Sequence, residues 1–122
     1  MKQVADKPRV FRDRTFQFSL RVIRLIRALP RDAAAAVIAR QLARSATSVG
    51  ANIEEAQGSD SRRDFTRRMN IARRESREAL YWLRLISESG MLDRTRMDEI
   101  IQKADEIVRI LIAIVKSSRR ED

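Results

Sequence analysis

The sequence predicts an all-α protein, an antiparallel up-down-up-down four-helix bundle, on three observations. Apolar residues recur at steps of three and four along four segments. Those segments are punctuated by Pro30, Gly58 and Gly90 and joined by only a few residues, which favours antiparallel neighbours. The 122 residues contain 3 Gly and 2 Pro, and no stretch alternates in the manner of a strand. A chain of this length suits one domain and can bury a core without staples. The expected organisation is a bundle over residues 13–116, with a flexible basic tail at 1–12 and a flexible tail at 117–122.

The first segment runs from Asp13 to Leu29 with two rows: Phe16, Leu20, Ile23 and Arg27, and beside it Phe18, Val22, Leu25 and Leu29. Pro30 ends it, because the residue before a proline is pushed out of helical geometry. Asp32 is placed to cap the second segment by accepting from free first-turn amides. That segment continues through Ala33–Ala36, Ile38, Leu42, Ala46, Val49, Ile53 and Ala56, which share one face, and Gly58 is its stop. Gly50 lies inside it at a cost of about 1 kcal/mol relative to Ala. With Ala46, Ser48 and Ala51 nearby, the expected compensation is a close helix–helix approach.

Ser61 and Asp64 have capping-box spacing and open the third segment. Its core face reads Phe65, Met69, Ala72, Ser76, Ala79 or Leu80, Leu83 and Ile86, and Gly90 closes it. At about 26 residues and 1.5 Å per residue it forms a rod roughly 40 Å long. Thr95 is expected to cap the fourth segment, with Asp98 and Glu99 in its first turn. Met97, Ile101, Ala104, Val108, Leu111 and Val115 form one heptad row there, and Ile100, Ile107 and Ile114 a second. A stripe that wide implies contacts on more than one side.

Composition narrows the function classes. There is no cysteine, so disulfides and thiolate metal sites are excluded. There is no histidine, which removes the commonest general base and metal ligand, and with them the Glu-x-x-His pattern of di-iron bundles. Ser76, Ser87 and Ser89 have no base to activate them, and no glycine-rich phosphate loop exists. The expectation is no catalytic residue, no metal, no cofactor and no small-molecule substrate. Apolar runs such as Ile110–Val115 fall far short of the ~20 residues a membrane span needs, and the charged start with Pro8 is unlike a signal peptide. A cytoplasmic location is expected.

Charge is the strongest signal. Lys and Arg total 26 against 17 acids, for a net charge of +9, and 22 of the 26 are arginine. The planar guanidinium matches phosphate with two parallel hydrogen bonds and is weakly hydrated. On the third segment Arg63, Arg67, Arg74 and Arg77 fall on one side at about 100° per residue, a spacing that lets several guanidinium groups track a phosphate backbone. A second basic row, Arg14, Arg21, Arg24 and Arg27, lies on the first segment. The plainer readings are a solvated face with local pairs such as Arg74 to Glu78, or arginine codon bias. The aromatic residues read mostly as core or interface rather than as base-stacking platforms, so backbone-directed binding with little sequence preference is expected. Tyr81 and Trp82 are adjacent, so one is expected to pack inward and the other toward a subunit neighbour.

The stretch Ala43-Arg44-Ser45-Ala46-Thr47-Ser48-Val49-Gly50-Ala51-Asn52-Ile53-Glu54-Glu55-Ala56, then Ser61-Arg62-Arg63-Asp64-Phe65, Asn70-Ile71-Ala72 and Arg77-Glu78-Ala79-Leu80-Tyr81-Trp82-Leu83, carries a specific pattern. It resembles the four-helix bundle proteins encoded in intervening sequences of bacterial 23S ribosomal RNA genes, a family that includes the accessory variability protein of diversity-generating retroelements. The resemblance covers nearly the whole chain and is densest from Leu42 to Leu92. It implies a ring-shaped homopentamer without enzymatic activity and, in the retroelement branch, a basic barrel that binds nucleic acid and a reverse transcriptase. Ala56 departs from the pattern, since many members have Gly there, so the helix is expected to run on to Gly58.

Within this signature Asn52, Glu55 and Ser61 read as structural positions. A buried Glu55 would need a partner, either Ser61 or an arginine of the third segment. Glu54 and Glu55 diverge by about 100° on a helix, which argues against paired-carboxylate chemistry. The resulting expectation is a non-enzymatic, basic, oligomeric scaffold for structured RNA or DNA. The rival is a protein–protein adaptor whose apolar rows and Tyr81/Trp82 form the contact, with arginines serving solubility or an acidic protein.

Overall fold

The computed structural model describes residues 7–120, which form four helices: α1 (Lys7–Arg27), α2 (Ala33–Gln57), α3 (Arg62–Glu88) and α4 (Arg94–Arg120). Each start and stop has a local cause. Asp32 caps α2, its Oδ1 accepting from the Ala35 amide at 2.8 Å, and Ser61 caps α3 by accepting from the Asp64 amide at 3.1 Å. α2 passes Ala56 and stops at Gly58, whose N–H donates back to the Glu55 carbonyl at 3.1 Å. Gly90 ends α3 with a positive φ of 79°. Its amide reaches the Ser87 carbonyl and the Met91 amide reaches the Ile86 carbonyl at 3.2 Å, the paired bonds of a Schellman cap.

Three boundaries differ from the sequence reading. α1 begins at Lys7, and Phe11 is part of the core, so residues 7–12 are bundle rather than tail. Pro8 sits in the first turn, where no amide is needed, so it starts this helix instead of blocking it. α4 continues to Arg120 with Ser118 buried, its hydroxyl paired with that of Thr66 on α3. The remaining tail residues, 1–6 and 121–122, lie outside the described residues. Asp93, not Thr95, precedes α4: its carbonyl takes the Arg96 and Met97 amides, and its carboxylate accepts from the Thr95 hydroxyl.

The helices meet in a ring order. α2 packs on α3, α3 on α4, α1 on α2, and α1 closes on α4 along the thinnest seam, while α1 and α3 stand at opposite corners without direct contact. The core runs the length of the bundle through Val22, Leu42, Val49, Ile53, Leu83, Ile86, Met97 and Leu111, all fully buried. Between Ala79 and Leu80 the core takes Ala79; Leu80 is half-buried beside it. Gly50 fills the role its small neighbours predict. A Cβ there would meet Ser19 Oγ at 3.6 Å and the Thr15 carbonyl oxygen at 3.8 Å, so α1 and α2 are in near-backbone contact. Ser19 bridges the same approach, its hydroxyl 3.3 Å from the Ala46 carbonyl. Of the two rows on α1, the one ending in Leu29 is buried, and the one ending in Arg27 is left outside, with Phe16 58% and Ile23 38% exposed.

Candidate nucleic-acid interface

Because α3 packs on both α2 and α4, its remaining face is defined by elimination. Met69, Ala72, Ser76, Ala79, Leu83 and Ile86 point into the core. At about 100° per residue Arg63, Arg67, Arg74 and Arg77 occupy an arc of about 80° on the opposite side. All four are exposed, so the structure brings this predicted row together.

Three of the four acids of α3 pair with arginines of other helices, and the fourth, Asp64, pairs with Arg67 of the arc. Arg44 on α2 holds both Glu75, at 3.0 Å, and Glu78. Glu88 pairs with Arg94 at 2.9 Å. Asp64 pairs with Arg67 at 2.8 Å, and the Arg67 guanidinium holds the Asp64 carboxyl below the ordinary carboxylate range. Arg74 therefore does not pair with Glu78. Arg63, Arg74, Arg77 and Arg84 make no ion pair or side-chain hydrogen bond with the described residues. Their charge is left for solvent or a ligand.

The second predicted row is divided. Arg14 reaches Glu106 at 3.4 Å and Arg21 reaches Glu99 at 2.8 Å, so both tie α1 to α4. Arg24 and Arg27 stay exposed. With α1 and α3 at opposite corners, the two rows lie on separate surfaces and do not form one continuous track.

The signature residues have distinct placements. Asn52 is an interhelix anchor: its amide donates to the Ser48 carbonyl at 2.9 Å and to Ser48 Oγ at 3.1 Å, while its Oδ1 accepts from Arg68 of α3 at 3.4 Å. Ser61 is the α3 cap. Glu55 is exposed and has no partner among the described residues, because Ile53 and Ala56 take the inward positions and the helical twist carries Glu55 outward. Asn52 and Arg68 make the link that had been expected of Glu55. Helical angle separates the two: Asn52 lies nearer the buried arc of α2 than Glu55 does.

Tyr81 and Trp82 split as adjacency predicts. Trp82 is half-buried against the core, Tyr81 is 55% exposed, and their rings meet edge-to-face at 5.0 Å and 74°. Sequence reasoning missed two features. Arg44 is the hub that gathers the α3 acids. The second is an apolar groove between α1 and α2, lined by Phe16, Leu20, Ile23, Thr47, Gly50 and Ala51. The latter was signalled by a row whose fourth member is Arg27 beside a row that is apolar throughout. Among the described residues no cluster of acids is suited to a metal ion, and no helix is long and apolar enough to cross a membrane.

Comparison with known proteins agrees with the bundle and the motifs. The profile of the 23S rRNA-intervening sequence protein family matches residues 10–113. The crystal structure of a protein of unknown function from the S23 ribosomal protein family of Bacteroides thetaiotaomicron is 36% identical and superposes with a TM-score of 0.81, covering 87% of this chain and 98% of that one. No curated protein matches significantly. With four helices in this order, the signature from Ala43 to Leu83 and a match over residues 10–113, the chain belongs to the 23S rRNA-intervening sequence protein family.

Proposed function

We propose that the protein is a non-enzymatic, homo-oligomeric basic scaffold that binds structured RNA or DNA through the arginines of α3, with little sequence specificity, in the cytoplasm. The observation that carries this reading is the excess of exposed arginine on the outer face of α3, where only Arg67 has an ion pair with the described residues. Glu75 and Glu78, the acids able to neutralise it, are held by Arg44, while Arg63, Arg74 and Arg77 remain exposed. Guanidinium groups along one rod contact successive phosphates and carry no base-reading geometry. The adaptor reading, with an acidic protein or a reverse transcriptase as partner, uses the same charge but gives no reason for an array along a single helix.

Self-association, as the ring-shaped homopentamer that the family resemblance implies, is assigned to the groove between α1 and α2. Exposed Phe16 and Ile23 beside Gly50 and Ala51 offer apolar area, and the rim carries both signs in Arg12 and Glu54, 4.0 Å apart. The pairing of Arg12 with Glu54 lowers the repulsion that a second copy of a chain with charge +9 meets there.

Light scattering of the full chain, with and without a pool of single-stranded, duplex and structured RNA, tests the reading. The expected result is one oligomer that gains mass with RNA in low salt and releases it in high salt. Replacing Arg67, Arg74 and Arg77 by Glu is expected to abolish the gain and leave the oligomer intact. An oligomer that ignores every nucleic acid refutes the scaffold, and a monomer refutes the assembly.

A further inference from the structure

We infer that the outer face of α3 is built for an unpaired stretch of nucleic acid, with a base stacked on Tyr81. This rests on the nucleic-acid reading above and names the substrate class within it.

Tyr81 lies inside the arginine arc. It is four residues after Arg77 and three before Arg84, and the wheel places it at the angle of Arg63, about 20° from Arg74. Along the axis, at 1.5 Å per residue, Arg63 to Arg84 spans about 30 Å, with Tyr81 about 6 Å from Arg77 and about 5 Å from Arg84. More than half of the tyrosine surface is open to solvent, whereas every other aromatic residue of α3 is half-buried against the core. Trp82 braces the ring edge-on at 5.0 Å and is itself packed on the core, so the platform is seated on the rigid part of the bundle.

Phosphate binding alone gives no use to this ring. A duplex presents phosphates but keeps its base faces inside the stack, so it satisfies the arginines and leaves Tyr81 idle. An unpaired strand presents phosphates and a free base face together, and aromatic stacking accepts any base. A second copy of the chain is a poor occupant. A subunit contact at Tyr81 would bring Arg74, Arg77 and Arg84 of one protomer toward the same cluster of charge on the next, whereas at the α1–α2 groove the rim arginine, Arg12, is paired with Glu54.

The test is fluorescence anisotropy on the full chain at low salt, with two probes: a single-stranded RNA of about 12 nucleotides, within the range a single groove covers, and a blunt RNA duplex of the same length. Tyr81→Ala is expected to weaken the single strand about five- to 150-fold, the range measured for loss of one stacking ring, and to leave duplex binding unchanged. Tyr81→Phe, which keeps the ring, is expected to bind both probes as the native chain does. Trp82 is the sole tryptophan, so its emission reports a base arriving on Tyr81 directly. Arg74→Gln with Arg77→Gln is expected to weaken both probes.

If Tyr81→Ala binds the single strand as the native chain does while the arginine variant loses both probes, the stacking inference falls and the scaffold reading stands. Equal loss of both probes in Tyr81→Ala also overturns the inference. If the native chain binds neither probe, both readings fall. Binding of a polyglutamate peptide as tightly as the single strand overturns both as well, since α3 is then a general polyanion face.

Discussion

Neutralising arginines that have no partner among the described residues is expected to leave the fold intact, so the change in salt dependence isolates their part in binding. Arg63, Arg74 and Arg77 are exposed and unpaired, and Arg63→Gln with Arg74→Gln and Arg77→Gln removes three charges while breaking no ion pair or side-chain hydrogen bond with the described residues. If the five arginines of the stripe, Arg84 and Arg67 included, each neutralise one phosphate of a single strand, log K falls against log salt with a slope of about −3.5. Between ~50 and ~200 mM salt that is a loss of about 100-fold. With two arginines left the slope falls to about −1.4 and the loss to about sevenfold. The assay is a salt titration of RNA affinity by anisotropy, with thermal unfolding as the control for structure. Arg14→Gln with Arg21→Gln is the matched comparison, since both are occupied by Glu106 and Glu99; it is expected to leave the slope nearly unchanged and to cost up to about 1 kcal/mol per exposed pair. An unchanged slope in the triple variant, or a larger change in the α1 variant, refutes the assignment to α3.

Gly50→Ala is expected to raise stability by up to about 1 kcal/mol, because the added methyl meets Ser19 and Thr15 at ordinary contact distance and the helix penalty of glycine disappears. Gly50→Leu is expected to destabilise by forcing α1 from α2; denaturant unfolding of both checks this, and tolerance of leucine refutes the close approach. Phe16→Glu is expected to convert the oligomer to smaller species by light scattering, and an unchanged mass removes the α1–α2 groove as the self-contact. Asp64 is expected to titrate below the ordinary carboxylate range by NMR, and Arg67→Ala to return it upward. With the folded-state value depressed, the pair's contribution is present above the unfolded pKa of about 3.9 and is lost as pH falls through the folded one. A native Asp64 that titrates at the ordinary value refutes it.

The helices were legible because their signals are local. Asp32, Ser61, Gly58 and Gly90 act through their own backbone neighbours, and each does in the structure what its chemistry predicts. The α3 core face was legible for the same reason, down to the Ala79/Leu80 ambiguity, which a one-dimensional period leaves open between adjacent positions. What was not legible depends on which helices face each other. Arg14 and Arg21 looked like members of a free row because their partners, Glu106 and Glu99, are nearly a chain length away. Glu75 and Glu78 looked like local counter-charges until Arg44 of α2 took them. Residues 7–12 looked like tail because their charge hides the single buried contact, Phe11, that ties them to the core. For Glu55 the error was one of angle: membership in a motif suggested burial that the helical twist denies it.

The ring order of the helices has a kinetic side. Three of the four seams join helices adjacent in the chain, so most of the core forms from hairpins whose closure entropy is small, which favours rapid folding. The fourth seam, α1 against α4, is the thinnest and bears the Arg14–Glu106 and Arg21–Glu99 pairs, which salt screens. α1 is therefore expected to be the element whose amides exchange with solvent at the lowest opening free energy, with α2, α3 and α4 persisting as a three-helix remnant, an order that hydrogen exchange checks. The helix that carries the Phe16–Ile23 groove is thus the one that detaches first, and assembly of copies through that groove would slow its exchange.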